Sequence, residues 1–392
     1  MLRHLAILLL SAVCAPAQAV TVPLILEGNA PIIELEVVGP SGAARKARFL
    51  VDTGGGSLIL GSKLMADAGA QANGPAMKEE GDLIQALKPP AVRLGGMDLD
   101  LSGVRVFGMP EQPRPLSRND AEGLFPASLL RHYRVVFDYT AGKFTLAKPG
   151  SVKPQGEKIG TPISRNGFPR IEIQVAGKSY GFLLDTGASF TMISRTVLEE
   201  WTKQNPAWHA ATGAVGFANM SGNKNESDAL MLRCPEWKAG PFVIKDPAAV
   251  SRPAGTFEKW MSGMMTAPIV GSVAGNVLRD FRVEIDYENG VTYLEKSGNS
   301  SDADLVTAGL VLGARADGAL VVAGISSGAA ADVKSSVRAG DYLIEVDGVG
   351  VTGKPLAAAA LALQGKADVP KRLKLKRGEE YLTVTVTPKS II

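Results

Sequence analysis

The sequence predicts a mainly β protein made of two duplicated lobes followed by a smaller third module, and three observations lead there. Residues 129–146 (LLRHYRVVFDYTAGKFTL) align without a gap to residues 277–294 (VLRDFRVEIDYENGVTYL) at a constant offset of 148. Self-similarity at a fixed offset marks a duplicated structural unit. Upstream, each copy has an apolar stretch running into Asp-Thr-Gly, at 47–54 and 181–187, with the two Asp 133 residues apart. Between these signals the chain reads as short alternating strands, such as 32–38 and 170–175, whose period of two places one face inward. The helical pattern is confined to short pieces such as 194–201.

Taken in order, the chain opens with Arg3 and His4, an apolar run at 5–13 and Ala17-Gln18-Ala19. A positive start, a short apolar core and an A-x-A site make residues 1–19 a secretory signal peptide, cleaved after Ala19. The run is about half of the roughly 20 apolar residues a spanning helix needs, so no membrane span is expected after cleavage. A lipidated Cys14 is the weaker alternative, because Ser11-Ala12-Val13 lacks the usual residues before such a Cys. The first lobe is assigned to 20–150 and the second to 160–296, with a Pro- and Gly-rich seam at 148–156 between them. Because 148 − 133 = 15, the second copy has gained 15 residues, and they fall after Trp201. A second seam at 296–302 precedes the third module, 305–390.

Composition narrows the chemistry. Of 392 residues, 42 are Lys or Arg and 39 are Asp or Glu, a net charge of +3, which argues against a dedicated nucleic-acid binder, whose backbone contacts would need a concentrated basic face. A hydrophobic content of 45% is too high for a disordered chain. After cleavage the chain keeps Cys234, His132 and His209. One thiol makes no intrachain disulfide, and these three residues form no ordinary zinc site. No metal or cofactor is expected, and nucleophilic mechanisms are left with few candidate bases. Carboxylates remain as the agents of any hydrolytic chemistry.

Two Asp-Thr-Gly motifs in duplicated lobes, each followed by a second apolar strand (57–60 and 190–193), are far more specific than one. The pattern resembles the aspartic peptidases, in particular the retropepsin-like bacterial proteins, over residues 30–296. The resemblance implies two aspartic-peptidase-type β-barrel lobes with Asp52 and Asp185 as a catalytic dyad. It further implies that Thr53, Gly54, Thr186 and Gly187 support the dyad loops, the threonines by cross-bracing them. Two carboxyls within hydrogen-bond reach cannot both ionise easily, so they share a proton and supply both a base and an acid. Pepsin-like members usually carry Ser or Thr three residues after each Asp, where this chain has Gly55 and Ala188. The missing donor should raise the dyad's pKa values, which predicts a pH optimum of about 4.5 to 6.5. Further departures are the Gly55-Gly56 pair, whose glycines raise the entropy of a loop that catalysis needs rigid, and Phe125-Pro126-Ala127 where copy two has Val273-Ala274-Gly275. His132 and Cys234 read as packing residues, and the four Trp as core more than substrate platform.

Beyond residue 305, Gly340-Asp341, an apolar strand and Asp347-Gly348 follow in order. This resembles a PDZ domain of the bacterial type. The likeness implies a peptide groove flanked by a helix at 357–363, with a carboxylate loop at 307–310 and Ala308, Gly309, Leu310, Val311 and Leu312 as peptide-binding residues. Strand 371–377 should turn Leu373 and Leu375 inward. Such grooves add a peptide as a strand and capture its terminal carboxylate. If the module delivers substrates, deleting 305–392 should raise KM for long substrates and spare short ones.

The sequence thus leads to an exported aspartic endopeptidase, periplasmic or secreted, whose partners are protein or peptide substrates and peptide C-termini. Two other arrangements fit the same residues: a catalytically silent peptide-binding scaffold, and a homodimer in which each Asp pairs with its copy.

Overall fold

The computed structural model describes residues 19–40, 42–79, 82–110, 120–222, 224–298, 305–315 and 317–392. The expected signal peptide therefore lies outside the described residues, apart from Ala19.

The first lobe comprises β1 (Ala19–Pro23), β2 (Ile25–Glu27), β3 (Ala30–Val38), β4 (Ala44–Asp52), β5 (Leu58–Gly61), α1 (Ser62–Asp67), β6 (Ala72–Glu79), β7 (Asp82–Leu87), β8 (Ala91–Leu94), β9 (Met97–Asp98), β10 (Val106–Met109), β11 (Gly123–Pro126), α2 (Ala127–Leu130), β12 (Arg134–Asp138) and β13 (Lys143–Ala147). The second comprises β14 (Glu157–Gly160), β15 (Arg170–Val175), β16 (Lys178–Leu184), β17 (Met192–Ser194), α3 (Arg195–Gln204), β18 (His209–Thr212), β19 (Leu230–Arg233), β20 (Glu236–Ala239), β21 (Phe242–Lys245), β22 (Ala248–Arg252), β23 (Gly271–Val273), α4 (Gly275–Leu278), β24 (Phe281–Asp286) and β25 (Val291–Lys296). The C-terminal module holds β26 (Val306–Thr307), β27 (Leu310–Ala314), β28 (Leu320–Ile325), α5 (Ala331–Ser336), β29 (Tyr342–Val346), β30 (Val349–Gly350), α6 (Leu356–Leu363), β31 (Lys371–Arg377), β32 (Glu380–Val386) and β33 (Lys389–Ser390).

The mainly β, duplicated expectation holds strand by strand. Lobe one is a sheet in the order β6-β7-β10-β5-β11-β4-β3-β8-β9, and lobe two repeats it as β18-β19-β22-β17-β23-β16-β15-β20-β21. The strands that run into Asp-Thr-Gly, β4 and β16, are central, each paired parallel to one neighbour and antiparallel to the other. Covered on both faces, they end in unbroken apolar runs, with Phe49, Val51, Phe182 and Leu184 fully buried.

The terminal hairpins of the two lobes join in one shared sheet, β1-β13-β12-β24-β25-β14. At its centre β12 pairs antiparallel with β24, Arg134 opposite Asp286, Val136 opposite Glu284 and Asp138 opposite Arg282. Shifting the first pair by the repeat offset of 148 turns it into the third, so this register carries a pseudo-twofold axis through Val136 and Glu284. Glu284 is fully buried there, 3.4 Å from Arg134 Nε and 2.9 Å from Arg282 Nη1. One hydrophobic core runs through both lobes and this sheet, from Phe49 and Val51 through Phe137 and Phe144 to Phe182 and Trp237.

The C-terminal module is a sheet β27-β28-β29-β31-β32 with β27 at its edge. It has its own core, in which Leu373 and Leu375 are fully buried as the alternation predicts. A further cluster fastens it to lobe two: Phe190, Val215, Met231 and Val250 pack with Leu305, Val311, Ile391 and Ile392.

Candidate active site

Asp52 closes β4, and Asp185 follows β16 directly. The two Asp-Thr-Gly loops meet within one chain across the lobe interface, as a homodimer would have had to arrange between copies. The Thr53 hydroxyl donates to Leu184 O at 2.6 Å and accepts from Thr186 N–H at 3.0 Å. Reciprocally, the Thr186 hydroxyl donates to Val51 O at 2.7 Å and accepts from Thr53 N–H at 3.2 Å. Both threonines are fully buried, so these four bonds lock the loops together where water does not compete.

Each glycine gives the opposite carboxyl its room. A Cβ on Gly54 would come within 3.2 Å of Asp185 Oδ1, and one on Gly187 within 2.5 Å of Asp52 Oδ1. Each carboxyl thus rests against the other lobe's loop. Backbone donors hold them: Gly54 N–H donates to Asp52 Oδ1 at 2.7 Å, and Ala188 N–H to Asp185 Oδ1 at 3.1 Å.

Burial pushes both carboxyls above the ordinary range. At Asp52 the nearby charge of Asp185 adds to that push, and the Gly54 and Gly55 N–H groups oppose it. At Asp185 the opposition comes from Ala188 N–H, the Ser272 hydroxyl and Gly187 N–H.

Gly55, expected to loosen the loop, is required by space. A Cβ there would come within 2.8 Å of both Asp52 Oδ2 and Leu124 Cδ2, so the Ser or Thr usual in pepsin-like members does not fit without rearrangement. The departure at 125–127 also proves conservative in structure. Ala127 N–H donates to Gly55 O at 2.9 Å, and its repeat equivalent Gly275 N–H donates to Ala188 O at 3.0 Å. Gly275 is glycine because a Cβ would overlap the Asn29 carbonyl oxygen.

Three residues of the site were not identified from sequence. Ser272, on β23, is buried beside Asp185, whose rise its hydroxyl opposes, and that hydroxyl finds no hydrogen-bond partner among the described residues. Its repeat equivalent is Leu124, so the donor exists on one side of the dyad only. Tyr139 and Tyr287, equivalent at the offset of 148, are buried with hydroxyls that find no partner among the described residues. Burial raises both phenols, and the charges of Asp185 and Asp52, respectively, raise them further. The repeat made their equivalence visible, but their closeness to the dyad exists only in three dimensions.

The other singled-out residues fall as follows. Cys234 is buried, its thiol pushed up to about 12 by burial. His132 lies beside Tyr133 and contacts Asp100 O at 3.2 Å through Nδ1. Trp201 and Trp237 are core, whereas Trp260 is 61% exposed. Among the described residues no cluster of His, Cys, Asp and Glu could hold a metal ion, and no helix is long and apolar enough to cross a membrane.

Ala308, Gly309, Leu310, Val311 and Leu312 are all buried. Where an open carboxylate loop was expected, Ala308 N–H donates to Leu363 O at 3.2 Å. Val311 packs into the cluster shared with lobe two.

Residues 171–272 match the family model described as aspartyl protease. No curated protein matches the chain. Among solved structures, the aspartic proteinase from Irpex lacteus is similar at 14% identity and a TM-score of 0.41, over 71% of this chain and 97% of that one. The second lobe, with Asp185 and its loop inside the matched span, is therefore similar to the aspartyl proteases.

Proposed function

We propose that the protein is a single-chain aspartic endopeptidase that cuts extended peptides at apolar positions with Asp52 and Asp185. The observation that carries this reading is the reciprocal threonine brace, which holds the buried Asp185 and the half-buried Asp52 carboxyls against each other's loops. One carboxylate takes a proton from water as the water oxygen attacks the scissile carbonyl carbon. The partner carboxyl gives its proton to the carbonyl oxygen. Collapse of the tetrahedral diol then delivers a proton to the leaving amide nitrogen, with one proton shuttling between two oxygens throughout. Ser272 biases the charge toward Asp185, leaving Asp52 as the acid in the first step.

The N-terminal pattern supports export to a bacterial periplasm or to the medium after cleavage behind Ala19. The third module is read as a PDZ-type peptide-binding domain, with its groove between β27 and α6.

The test is to incubate the purified chain from residue 20, with Asp52→Asn and Asp185→Asn controls, with a mixed peptide library from about pH 3.5 to 7.5. New termini are read by mass spectrometry. Each control should lose cleavage by roughly 10²- to 10⁴-fold. A folded wild-type chain that retains peptides without cutting them would leave the scaffold arrangement.

A further inference from the structure

The second lobe fills the groove of the C-terminal module with a segment that the first lobe lacks. By sheet position the hairpin β18–β19 is the equivalent of β6–β7. It spans residues 209–233, or 25 residues, against 16 for residues 72–87. Nine of the fifteen residues gained by copy two therefore lie in this hairpin, whose long connection leaves the lobe and lies along β27.

The contacts have the form of a bound peptide. Gly213 sits beside Val311 and Ser326, and Gly222 sits between Leu356 of α6 and Ala314 of β27, within 3.6 Å of the Ala314 Cβ for an added Cβ. The outer edge of β27 is paired by this segment: Asn219 Nδ2 donates to Leu312 O at 2.7 Å, and Ala314 N–H donates to Gly222 O at 2.8 Å. Phe217 seats its ring against Ala357 and Ala360 of α6. An aromatic anchor, one main-chain bond and one side-chain bond to the strand edge mimic in part what strand addition to such a groove uses. Gly213, Gly216 and Gly222 all have positive φ, so the segment is a series of turns; Gly213 and Ala214 N–H tie its start to Ala229 O and Glu226 O at 2.8 Å, and Ala214, Val215 and Ala218 pack with lobe two, which leaves Phe217, Asn219 and Gly222 as the part that the groove holds.

We propose that residues 213–222 are a built-in ligand of this groove, and that an extended peptide carrying an aromatic side chain competes for the place of Phe217. The proposal rests on the reading of the third module as peptide-binding. It alters the expected partner: the internal occupant has no terminal carboxylate, so a free C-terminus is not required.

The test uses the full chain with Asp52→Asn, to keep the probe intact. The probe is a fluorescent, C-terminally amidated peptide with the sequence of residues 213–222, followed by anisotropy. A competing internal segment taxes the affinity of an external one by the fraction of open groove. Phe217→Ala and Asn219→Ala should each tighten probe binding by about tenfold or more, and Ala357→Trp added to either should abolish it. Equal affinity in parent and opened chains would overturn the built-in ligand while leaving the groove reading intact. Absence of binding in every chain would overturn both. Hydrogen exchange of the unopened chain gives a second readout that does not depend on those variants. Saturating probe should speed exchange across 213–222 and leave that of β4 and β16 unchanged; unchanged protection of 213–222 with probe bound would count against competition.

Discussion

Asp52 and Asp185 are equivalent in sequence and unequal in company. Both carboxyls are raised by burial, and Asp185 also has the Ser272 hydroxyl. A hydrogen bond to the charged form lowers a carboxyl's pKa. Ser272→Ala should therefore move the acidic limb of the kcat/KM profile upward, by about one pH unit, with little change in the alkaline limb. An unmoved acidic limb would remove Ser272 from the dyad's electrostatics. The same burial affects stability. Carboxyls raised in the folded state favour the fold below their unfolded pKa of about 3.9, and that contribution is lost as pH rises through the folded values. Asp52→Asn should thus raise Tm at pH 7.5 by about 2–4 °C or more and leave it unchanged near pH 4, as scanning calorimetry would show. At this scale the sequence was legible wherever chemistry and motif coincide, as at Asp52, Thr53, Asp185 and Thr186. Ser272 was not, because it reaches Asp185 through the parallel pairing of β16 with β23, 87 positions further along the chain. Gly55 was misread as a loosening residue because one of the two groups that demand it, the Leu124 side chain, lies 69 positions away in the chain.

Among elements, the strands and their duplication were legible from alternation and a constant offset. An offset establishes that two segments are equivalent, however, and says nothing about whether they touch. The pairing of β12 with β24 was for that reason invisible, as was Glu284's burial between two equivalent arginines. Removing the charge of a buried ion pair while its partners stay costs about 3–5 kcal/mol. Glu284→Gln should destabilise by a large part of that in urea unfolding, whereas breaking the exposed pair Lys46–Glu34 should change stability little.

For the whole molecule, the sequence separated three modules, and the structure fuses the last to the second. Phe190, Val215, Met231 and Val250 of lobe two are covered by Leu305, Val311, Ile391 and Ile392. Deleting 305–392 would uncover them, and one of them, Phe190, lies only five residues beyond Asp185. The expectation that truncation affects long substrates alone therefore changes: the truncated chain should melt at least about 5 °C lower and lose activity on short and long peptides alike. Full activity on short peptides at an unchanged Tm would show the module to be an independent appendage. The destination of the extra length in copy two was hidden because Gly- and Ser-bearing turns carry no period from which a neighbour could be inferred.

The axis through Val136 and Glu284 sets a limit on ancestry and on engineering. In a dimer of identical halves, whatever side chain occupies that position faces itself, so the choice is two valines or two mutually repelling glutamates. A fused chain escapes that constraint, and this one has placed a single acid where it serves both arginines. Halves made as separate polypeptides, one ending near 150 and one starting near 155, should consequently prefer each other to themselves. Mixing them with differently labelled copies would reveal whether covalent continuity has turned a symmetric assembly into an obligatorily unequal one.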